Sequence, residues 1–203
     1  KKTNLTNITH LPNWIKKQNI SFKNKKIFNS FIFSGNLGGG QDIEKVYNFF
    51  SRIRIRSNNS NLCVLGDGMN TSNLKKFQNL NINYYKKVSF KKYIKFLSNY
   101  EYGIISLKEE IQSVNYPGRL LTYLNNGLPI IVLSNKANEL SKFVTEKKIG
   151  VVINSKENIN QKLKKLKNIR SNFIKYKTNI KVLDKFFNLK KNADKIFLTK
   201  GKI

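Results

Sequence analysis

Short apolar segments alternate with amphipathic segments about six times along this 203-residue chain. The apolar segments are continuous, as in Ile130–Leu133, which is typical of strands buried on both faces of a parallel sheet. The intervening segments repeat apolar residues at helical spacing, as Ile43, Val46 and Phe50 do. This alternation predicts an α/β fold, namely a doubly wound, mostly parallel, six-stranded Rossmann-like sheet with helices on both faces. In such folds, ligands bind outside the carboxyl ends of the strands.

The predicted elements can be placed along the chain. We expect strands at 26–34, 61–68, 82–85, 100–107, 130–133 and 149–153, and helices at 43–50, 90–97, 117–126 and 137–147. A short helix is expected around Leu74 and Phe77. Two amphipathic helices are expected between 156 and 200, with apolar faces formed by Leu163, Leu166 and Ile169 and by Val182, Phe186 and Phe187.

A single domain accounts for most of the chain. Residues 27–200 carry the predicted elements, a length that suits one α/β domain with a sizeable core. Residues 1–26 are polar and lack periodicity, so they are interpreted as an interdomain linker or N-terminal arm anchored by Trp14. The single cysteine, Cys63, lies in an apolar run and is expected to be a buried hydrophobe, not a nucleophile. No apolar run approaches the 18 residues of a membrane span.

The net charge of +28, from 39 basic and 11 acidic residues, raises nucleic acid and anionic membrane as partners. The lysines are scattered, however, and asparagine and isoleucine are also abundant, as in proteins encoded by AT-rich genomes. No element combines clustered basic and aromatic residues, so we expect no nucleic-acid binding. The lysine-rich helices after residue 156 could contact an anionic membrane, although packing on the sheet is the favoured interpretation.

The stretch 115–133 has the strongest local signals for an anion site. Pro117 suits the first position of a helix, Gly127 suits the left-handed position after its end, and Pro129 prevents continuation. Backbone N–H groups at the start of this helix would point outward beside the Arg119 guanidinium. The pattern therefore indicates a phosphate site, with an ordinary βα unit carrying a surface arginine as the alternative.

Glycine-rich turns follow the first two strands. The spacing of Gly35, Gly38, Gly39 and Gly40 matches neither the dinucleotide fingerprint nor a Walker A loop. In Gly66-Asp-Gly68, Asp67 is interpreted either as a ribose or base contact or as a turn residue. Because the strands are predicted to be parallel, these turns should meet residues 88–89 and 117–119 at one edge of the sheet.

Residues 117–131 resemble the nucleotide-sugar-binding segment of family 4 glycosyltransferases of the GT-B fold, particularly those of bacterial polysaccharide and O-antigen biosynthesis. Their sequence is Pro-Gly-Arg-Leu-Leu-Thr-Tyr-Leu-Asn-Asn-Gly-Leu-Pro-Ile-Ile. The phrases Gly-Asn-Leu-Gly after the first strand and Gly-Asp-Gly after the second are similar to loops of the same family. The resemblance extends from about residue 11 to residue 198. It implies the donor-binding half of a glycosyltransferase, with an N-terminal acceptor domain elsewhere.

The resemblance implies that the donor is a nucleotide-diphosphate sugar, UDP-linked in most of the family, and that no metal or cofactor is required. The hexose-type sugar would pass to a glycan or a lipid-linked acceptor at the cytoplasmic side of the inner membrane. Arg119 would stabilise the leaving diphosphate as the catalytic residue. The implied donor-binding residues are Gly35, Asn36, Gly38, Gly39, Asp67, Val88, Ser89, Pro117, Gly118, Arg119, Leu120 and Thr122.

Two positions depart from the family pattern. Thr122 stands where the family commonly has a ribose-binding glutamate, and Val114 stands at the first glutamate of the paired-glutamate motif. Glu109 and Glu110 are interpreted either as substitutes that contact the donor sugar or as a solvated loop pair. Three hypotheses follow: a donor-binding half of an enzyme, a non-catalytic module of the same fold, and a basic nucleic-acid-binding domain.

Overall fold

The computed structural model describes residues 29–38, 40–54, 59–68, 81–108, 116–134 and 138–183, together with residues 187 and 193. The predictions for the arm at 1–26 with Trp14, and for Leu74, Phe77 and Phe186, concern residues outside these ranges. The strands are β1 (Ser30–Ser34), β2 (Asn61–Leu65), β3 (Ile82–Tyr85), β4 (Tyr102–Ser106), β5 (Ile130–Leu133) and β6 (Gly150–Ile153). The helices are α1 (Ile43–Arg54), α2 (Phe90–Ser98), α3 (Gly118–Asn125), α4 (Glu139–Glu146), α5 (Ile159–Ser171) and α6 (Phe173–Leu183).

All six strands are parallel and lie in the order β3-β2-β1-β4-β5-β6. This is the order of the doubly wound dinucleotide-binding folds, and it confirms the predicted fold class. Chain direction across the sheet reverses between β1 and β4, which are direct neighbours. Their carboxyl ends therefore flank the topological switch point, where ligands bind in open α/β sheets.

Helices cover both faces of the sheet, because alternate strand residues point to opposite sides. On one face, Ile32 and Ile105 belong to the core that also contains buried residues of α2, α3, α4 and α6. On the other face, Phe31 and Phe33 pack with α1 and α5. Strand boundaries were predicted to within a few residues, with most strands shorter than expected.

The end of α3 matches the sequence prediction and its start does not. Gly127 adopts a φ of 64°, and the amides of Gly127 and Leu128 donate to the carbonyls of Leu124 and Tyr123, at 2.9 and 3.0 Å. These two bonds form a Schellman motif that closes the helix. Pro117, expected at the first helical position, has an extended ψ of 135° and caps the helix, which begins at Gly118.

The structure of α6 corrects the predicted apolar face of this helix. Val182 was predicted to lie on the apolar face of its helix, yet it is 65% exposed, and Ile180 and Leu183 form the buried side instead. Because α6 packs on the core through residues 180 and 183, position 182 is rotated away from the sheet. Leu166 and Ile169 of α5 are buried as predicted.

Candidate functional site

Three loops meet at the carboxyl edge of the sheet and are joined by backbone hydrogen bonds. The Gly35 amide donates to the carbonyl of Leu65 at 2.9 Å, and the Leu37 amide donates to that of Asp67 at 2.9 Å. The Gly66 amide donates to the carbonyl of Tyr85 at 2.9 Å. The turns after β1, β2 and β3 are thereby fixed relative to one another, as the predicted convergence requires.

These loops and the start of α3 enclose a cleft of about 520 Å³. Its lining includes six of the residues named from the sequence and several that were not. The residues are Gly35, Asn36, Leu65, Gly66, Asp67, Lys87, Val88, Phe90, Tyr93, Arg119 and Thr122. The sequence analysis did not single out Lys87, Phe90 or Tyr93 as contributors to a site.

Glycine is needed at two of the turn positions because the loops approach closely. Gly66 has a φ of 152°, and a Cβ there would overlap the carbonyl oxygen of Gly35. Gly35 has a φ of 116°, and a Cβ there would lie 2.8 Å from Nη2 of Arg119. The two glycines therefore allow the loops to touch each other and allow the arginine to lie against the first turn.

The Arg119 guanidinium forms the cationic part of the cleft. It lies over the ring of Phe33, with Cζ 5.1 Å from the ring centroid. Burial lowers the pKa of Arg119 from its ordinary value, while the nearby phenols of Tyr123 and Tyr93 oppose this shift. Its Nη1 atom is buried and makes no hydrogen bond to any part of the chain that the structure describes. A half-buried cation with a buried, unused donor is suited to an anionic ligand, because a buried polar group without a partner is costly.

The first turn of α3 adds backbone donors beside this guanidinium. Gly118 and Arg119 are the first two helical residues, and across the described ranges their amides have no backbone acceptor. Gly118 is exposed, and a Cβ built on it would have no atom within 4 Å. No residue that the structure describes covers the start of the helix, and the helix dipole favours a negative charge there.

Beneath the cleft, three hydroxyl groups form a connected network. The Tyr123 hydroxyl donates to the carbonyl of Ile32 at 3.2 Å and accepts from the Ser34 amide at 2.9 Å. The Ser34 hydroxyl lies 2.9 Å from that of Tyr123 and 2.7 Å from that of Tyr93. Because the Tyr123 proton is used on Ile32, the Ser34 hydroxyl donates to Tyr123 and accepts from Tyr93.

This network fixes the end of β1, where Arg119 lies. Burial raises the pKa of both Tyr93 and Tyr123, so both phenols stay protonated at neutral pH and act as hydrogen-bond donors. Tyr123 fits beneath the sheet edge because Gly103 has no side chain, and a Cβ there would overlap the phenol ring. The contact between Tyr93 and Ser34 spans 59 residues of sequence, so no local pattern could have revealed it.

Lys87, Val88 and Phe90 line the cleft on the side of β3, which lies two strands away from β1. Phe90 is 53% exposed, and its ring centroid lies 6.3 Å from that of Tyr93. Asp67 accepts from the Lys87 amide at 3.2 Å and from the Tyr84 hydroxyl at 3.4 Å. The Asp67 carboxylate thus holds the loop that carries Val88, which favours the interpretation of Asp67 as a turn residue.

Five other sequence candidates do not line the cleft, namely Gly38, Ser89, Pro117, Gly118 and Leu120. Leu120 is fully buried in the core, and its amide donates to the Pro117 carbonyl at 2.8 Å. Ser89 precedes α2 and its side chain makes no capping bond, and Gly38 follows the Asn36 turn. Gly39, Glu109 and Glu110 lie outside the described residues.

Thr122 lines the cleft from the second turn of α3. Its hydroxyl donates to the Gly118 carbonyl at 3.4 Å. The hydroxyl oxygen remains able to accept a hydrogen bond, but it carries no charge and reaches less far than a glutamate would. This position is therefore a weaker acceptor than the family pattern provides.

Two further findings concern chemistry outside the cleft. Burial raises the pKa of the Cys63 thiol to about 11, so this cysteine is an unreactive core residue, as predicted. Among the residues described, no three His, Cys, Asp or Glu side chains are grouped as metal ligands would be. In the same residues, none of the helices has the length and apolar content needed to cross a bilayer.

A larger groove of about 750 Å³ lies along the outer edge of β6, between α4 and α5. The Lys165 ammonium group blocks part of this strand edge by donating to the Val152 carbonyl at 2.6 Å. None of the candidate residues lines the groove. The smaller cleft is therefore the better candidate site, because the switch point, the helix start and the buried arginine all coincide there.

Known structures with the same fold include glycosyltransferases. TarM from S. aureus superposes with a TM-score of 0.74 at 14% identity, over 96% of this chain and 39% of TarM. That structure is of a TarM mutant in complex with Fondaparinux, alpha-GlcNAc-glycerol and UDP. The pneumococcal O-GlcNAc transferase GtfA, solved with UDP and GlcNAc, gives 0.67 at 14% identity, over 93% of this chain and 37% of GtfA.

WaaG, a glycosyltransferase involved in lipopolysaccharide biosynthesis, gives a TM-score of 0.61 at 14% identity, over 85% of this chain and 47% of WaaG. The chain thus spans less than half the length of each of these three proteins. No curated protein matches the sequence.

A sequence profile described as glucosyltransferase 3-like, C-terminal domain, matches residues 42–191. The matched region begins just before α1, continues past α6 and includes both the Arg119 helix and the loop carrying Val88. Because the match covers about three quarters of the sequence, the chain belongs to the glucosyltransferase 3-like C-terminal domain family, a C-terminal domain of GT-B glycosyltransferases.

Proposed function

We propose that this domain binds a nucleoside-diphosphate sugar in the cleft, with the diphosphate between the first turn of α3 and Arg119. The observation that carries the proposal is the half-buried Arg119, whose buried Nη1 donor has no partner in the described structure. A diphosphate would supply two or more acceptor oxygens to that donor and to the open amides of Gly118 and Arg119. UDP is the proposed nucleotide, in keeping with the UDP bound to TarM and to GtfA.

The proposed orientation follows from the two ends of the cleft. The nucleobase would lie against Val88 and Phe90, where the lining is apolar and aromatic. The ribose would lie between this end and Thr122, within reach of a single hydroxyl acceptor. The sugar would then extend past the loop after β1, toward the open side of the sheet edge.

In the proposed reaction an acceptor hydroxyl replaces the diphosphate at the anomeric carbon of a hexose-type sugar. The bond from that carbon to the diphosphate oxygen breaks, and negative charge grows on the leaving group. Arg119 and the helix start would stabilise this charge, because donors held in place in a dry site need no reorganisation. The acceptor, a glycan or lipid-linked saccharide, would be held by an N-terminal domain packed over this one on the cytoplasmic side of the membrane.

Titration calorimetry with UDP, GDP, ADP and a short DNA duplex at physiological salt tests the proposal. We expect selective binding of one nucleoside diphosphate. Arg119→Ala should weaken that binding roughly 10- to 150-fold, the range for losing a hydrogen bond to a charged group. Arg52→Ala is the matched control, because Arg52 is exposed and far from the cleft lining.

Equal binding by Arg119→Ala and the unchanged chain would refute the proposed site. Binding of DNA without any nucleotide would support the third hypothesis, a basic nucleic-acid-binding domain. A second candidate function, donor binding without transfer, is favoured by the neutral hydroxyl at Thr122. It predicts UDP binding with no transfer or hydrolysis of a UDP-sugar, even when an acceptor domain is supplied.

A further inference from the structure

The outer face of α6 carries an apolar stripe that none of the residues described in the structure covers. Ile174 is 79% exposed and Val182 is 65% exposed, and both side chains would be expected in a core. They stand eight residues apart with Thr178 midway, so the three lie along one face of the helix. Thr178 is exposed, and its hydroxyl donates back to the carbonyl of Ile174 at 3.1 Å.

Lysines flank this stripe on both sides. Lys175 stands on one side of it, and Lys177 and Lys181 stand on the other, as the helical positions require. Lys175 and Lys181 are exposed. Residues 159–183, which span α5 and α6, contain seven lysines and one arginine and no acidic residue. This segment is therefore more cationic than the chain as a whole, although Lys162 is buried and Lys165 forms an ion pair with Glu157.

We propose that the outer face of α6 docks on an anionic lipid bilayer, with the helix lying in the plane of the membrane surface. Aliphatic side chains flanked by lysines suit this partner, because the apolar groups enter the interface while the ammonium groups meet lipid phosphates. The negative surface of the bilayer complements the charge of α5 and α6. The proposal does not depend on the function of the cleft.

The exposed aliphatic stripe distinguishes a bilayer from nucleic acid as the partner. A nucleic-acid-binding surface would offer lysine and arginine for phosphates and aromatic rings for base stacking. The stripe of Ile174, Thr178 and Val182 offers neither. In contrast, aliphatic side chains that enter the headgroup region of a bilayer lose their contact with water, which is favourable.

Co-sedimentation of the full chain with lipid vesicles tests the proposal. One set of vesicles contains phosphatidylcholine and phosphatidylglycerol, and the other contains phosphatidylcholine alone. We expect binding to the first set only, and weaker binding as salt is raised. The double variant Lys175→Gln, Lys181→Gln should lower the partition coefficient about 30-fold, since each lysine near an anionic surface contributes about fivefold.

A matched control separates this face from net charge. The double variant Lys91→Gln, Lys92→Gln changes the charge equally, and both lysines are exposed on α2. We expect this control to bind anionic vesicles no more than about twofold more weakly than the unchanged chain, a loss that reflects the lower net charge alone. The variant Ile174→Gln, Val182→Gln should lose roughly tenfold in binding without losing helix content by circular dichroism.

Three results would overturn the proposal. The two lysine pairs could reduce vesicle binding equally, which would mean that only net charge matters. The aliphatic variant could bind as tightly as the unchanged chain. DNA could compete fully with vesicles and be released by the α6 lysine variant alone, in which case the face would be a nucleic-acid surface.

Discussion

The substitution Gly118→Asp separates the proposed donor site from the scaffold, because its effects on stability and on binding should have opposite signs. Gly118 is the first residue of α3, it is exposed, and a side chain there meets no atom within 4 Å. A carboxylate in the first turn interacts favourably with the helix dipole. Replacing glycine also reduces the entropy of the unfolded chain.

The magnitudes can be worked out from this geometry. The dipole and entropy effects together should raise the free energy of unfolding by about 0.5–1.5 kcal/mol. A carboxylate about 5 Å from the nearer phosphate, taken as one unit charge at an effective dielectric constant of roughly 40–80, repels it by about 1–2 kcal/mol. UDP affinity should therefore fall roughly 5- to 30-fold.

Urea unfolding and titration calorimetry measure the two effects, and Gly118→Asn is the control because it has the shape of aspartate without its charge. We expect Gly118→Asn to bind UDP nearly as well as the unchanged chain. If the aspartate and asparagine variants bind UDP equally, no diphosphate lies at the start of α3, and the reasoning fails.

The remaining predictions concern the support of the site. Tyr123→Phe leaves the buried Ser34 amide without its acceptor, so the free energy of unfolding should fall by about 1–3 kcal/mol in urea. Tyr176 is the control, because this half-buried tyrosine has an exposed hydroxyl bond to Asn168, so Tyr176→Phe should change the free energy of unfolding by less than about 0.5 kcal/mol. Equal effects of the two substitutions would contradict the network. Gly66→Ala should cost at least about 2 kcal/mol in the same assay, and a neutral result would mean that the loops can separate freely. Stability should fall as pH rises above about 9, since Cys63, with a pKa raised to about 11, holds its proton in the folded chain and releases it on unfolding. The urea midpoint, measured between about pH 7 and 11, reports this loss of stability. In Cys63→Ala the loss should begin only at about pH 10, where the tyrosines of the unfolded chain begin to ionise. A loss that begins at the same pH in both proteins would count against burial of the thiol.

Local patterns predicted the fold because strand and helix signals agree along most of the chain. The continuous run Ile130–Leu133 is a buried strand, and Gly127 has the left-handed conformation that a helix end requires. Such features depend on neighbours in sequence, so they can be read without knowing the tertiary structure. The sequence predicted the doubly wound class but not the strand order, because the class includes more than one order and pairing joins strands that are distant in sequence.

The site was predictable only in part, since much of it depends on contacts between distant residues. The turn glycines and Arg119 were identified, but the burial of the guanidinium over Phe33 depends on how α3 packs against β1. Tyr93 was missed because its partner, Ser34, belongs to another element. Phe90 had a usable signal, as an aromatic residue directly after the loop carrying Val88.

The rotation of α6 explains why the prediction of a buried Val182 was wrong. The pattern from 173 to 183 has apolar residues on more than one face, so periodicity alone did not fix which face is buried. Packing through Ile180 and Leu183 decided the rotation and left Val182 outside. The same rotation produces the stripe that we propose as a membrane surface.

The most direct test of the central claim is to map amide chemical shifts of the ¹⁵N-labelled chain while UDP is added. The account predicts that the largest shifts fall on Gly118 and Arg119, at the start of α3, and on Gly35, with smaller shifts at Val88. Residues lining the groove at the edge of β6, such as Val151, should not move. Shifts confined to that groove, or saturating UDP with no change at Gly118 and Arg119, would contradict the assignment of the diphosphate site.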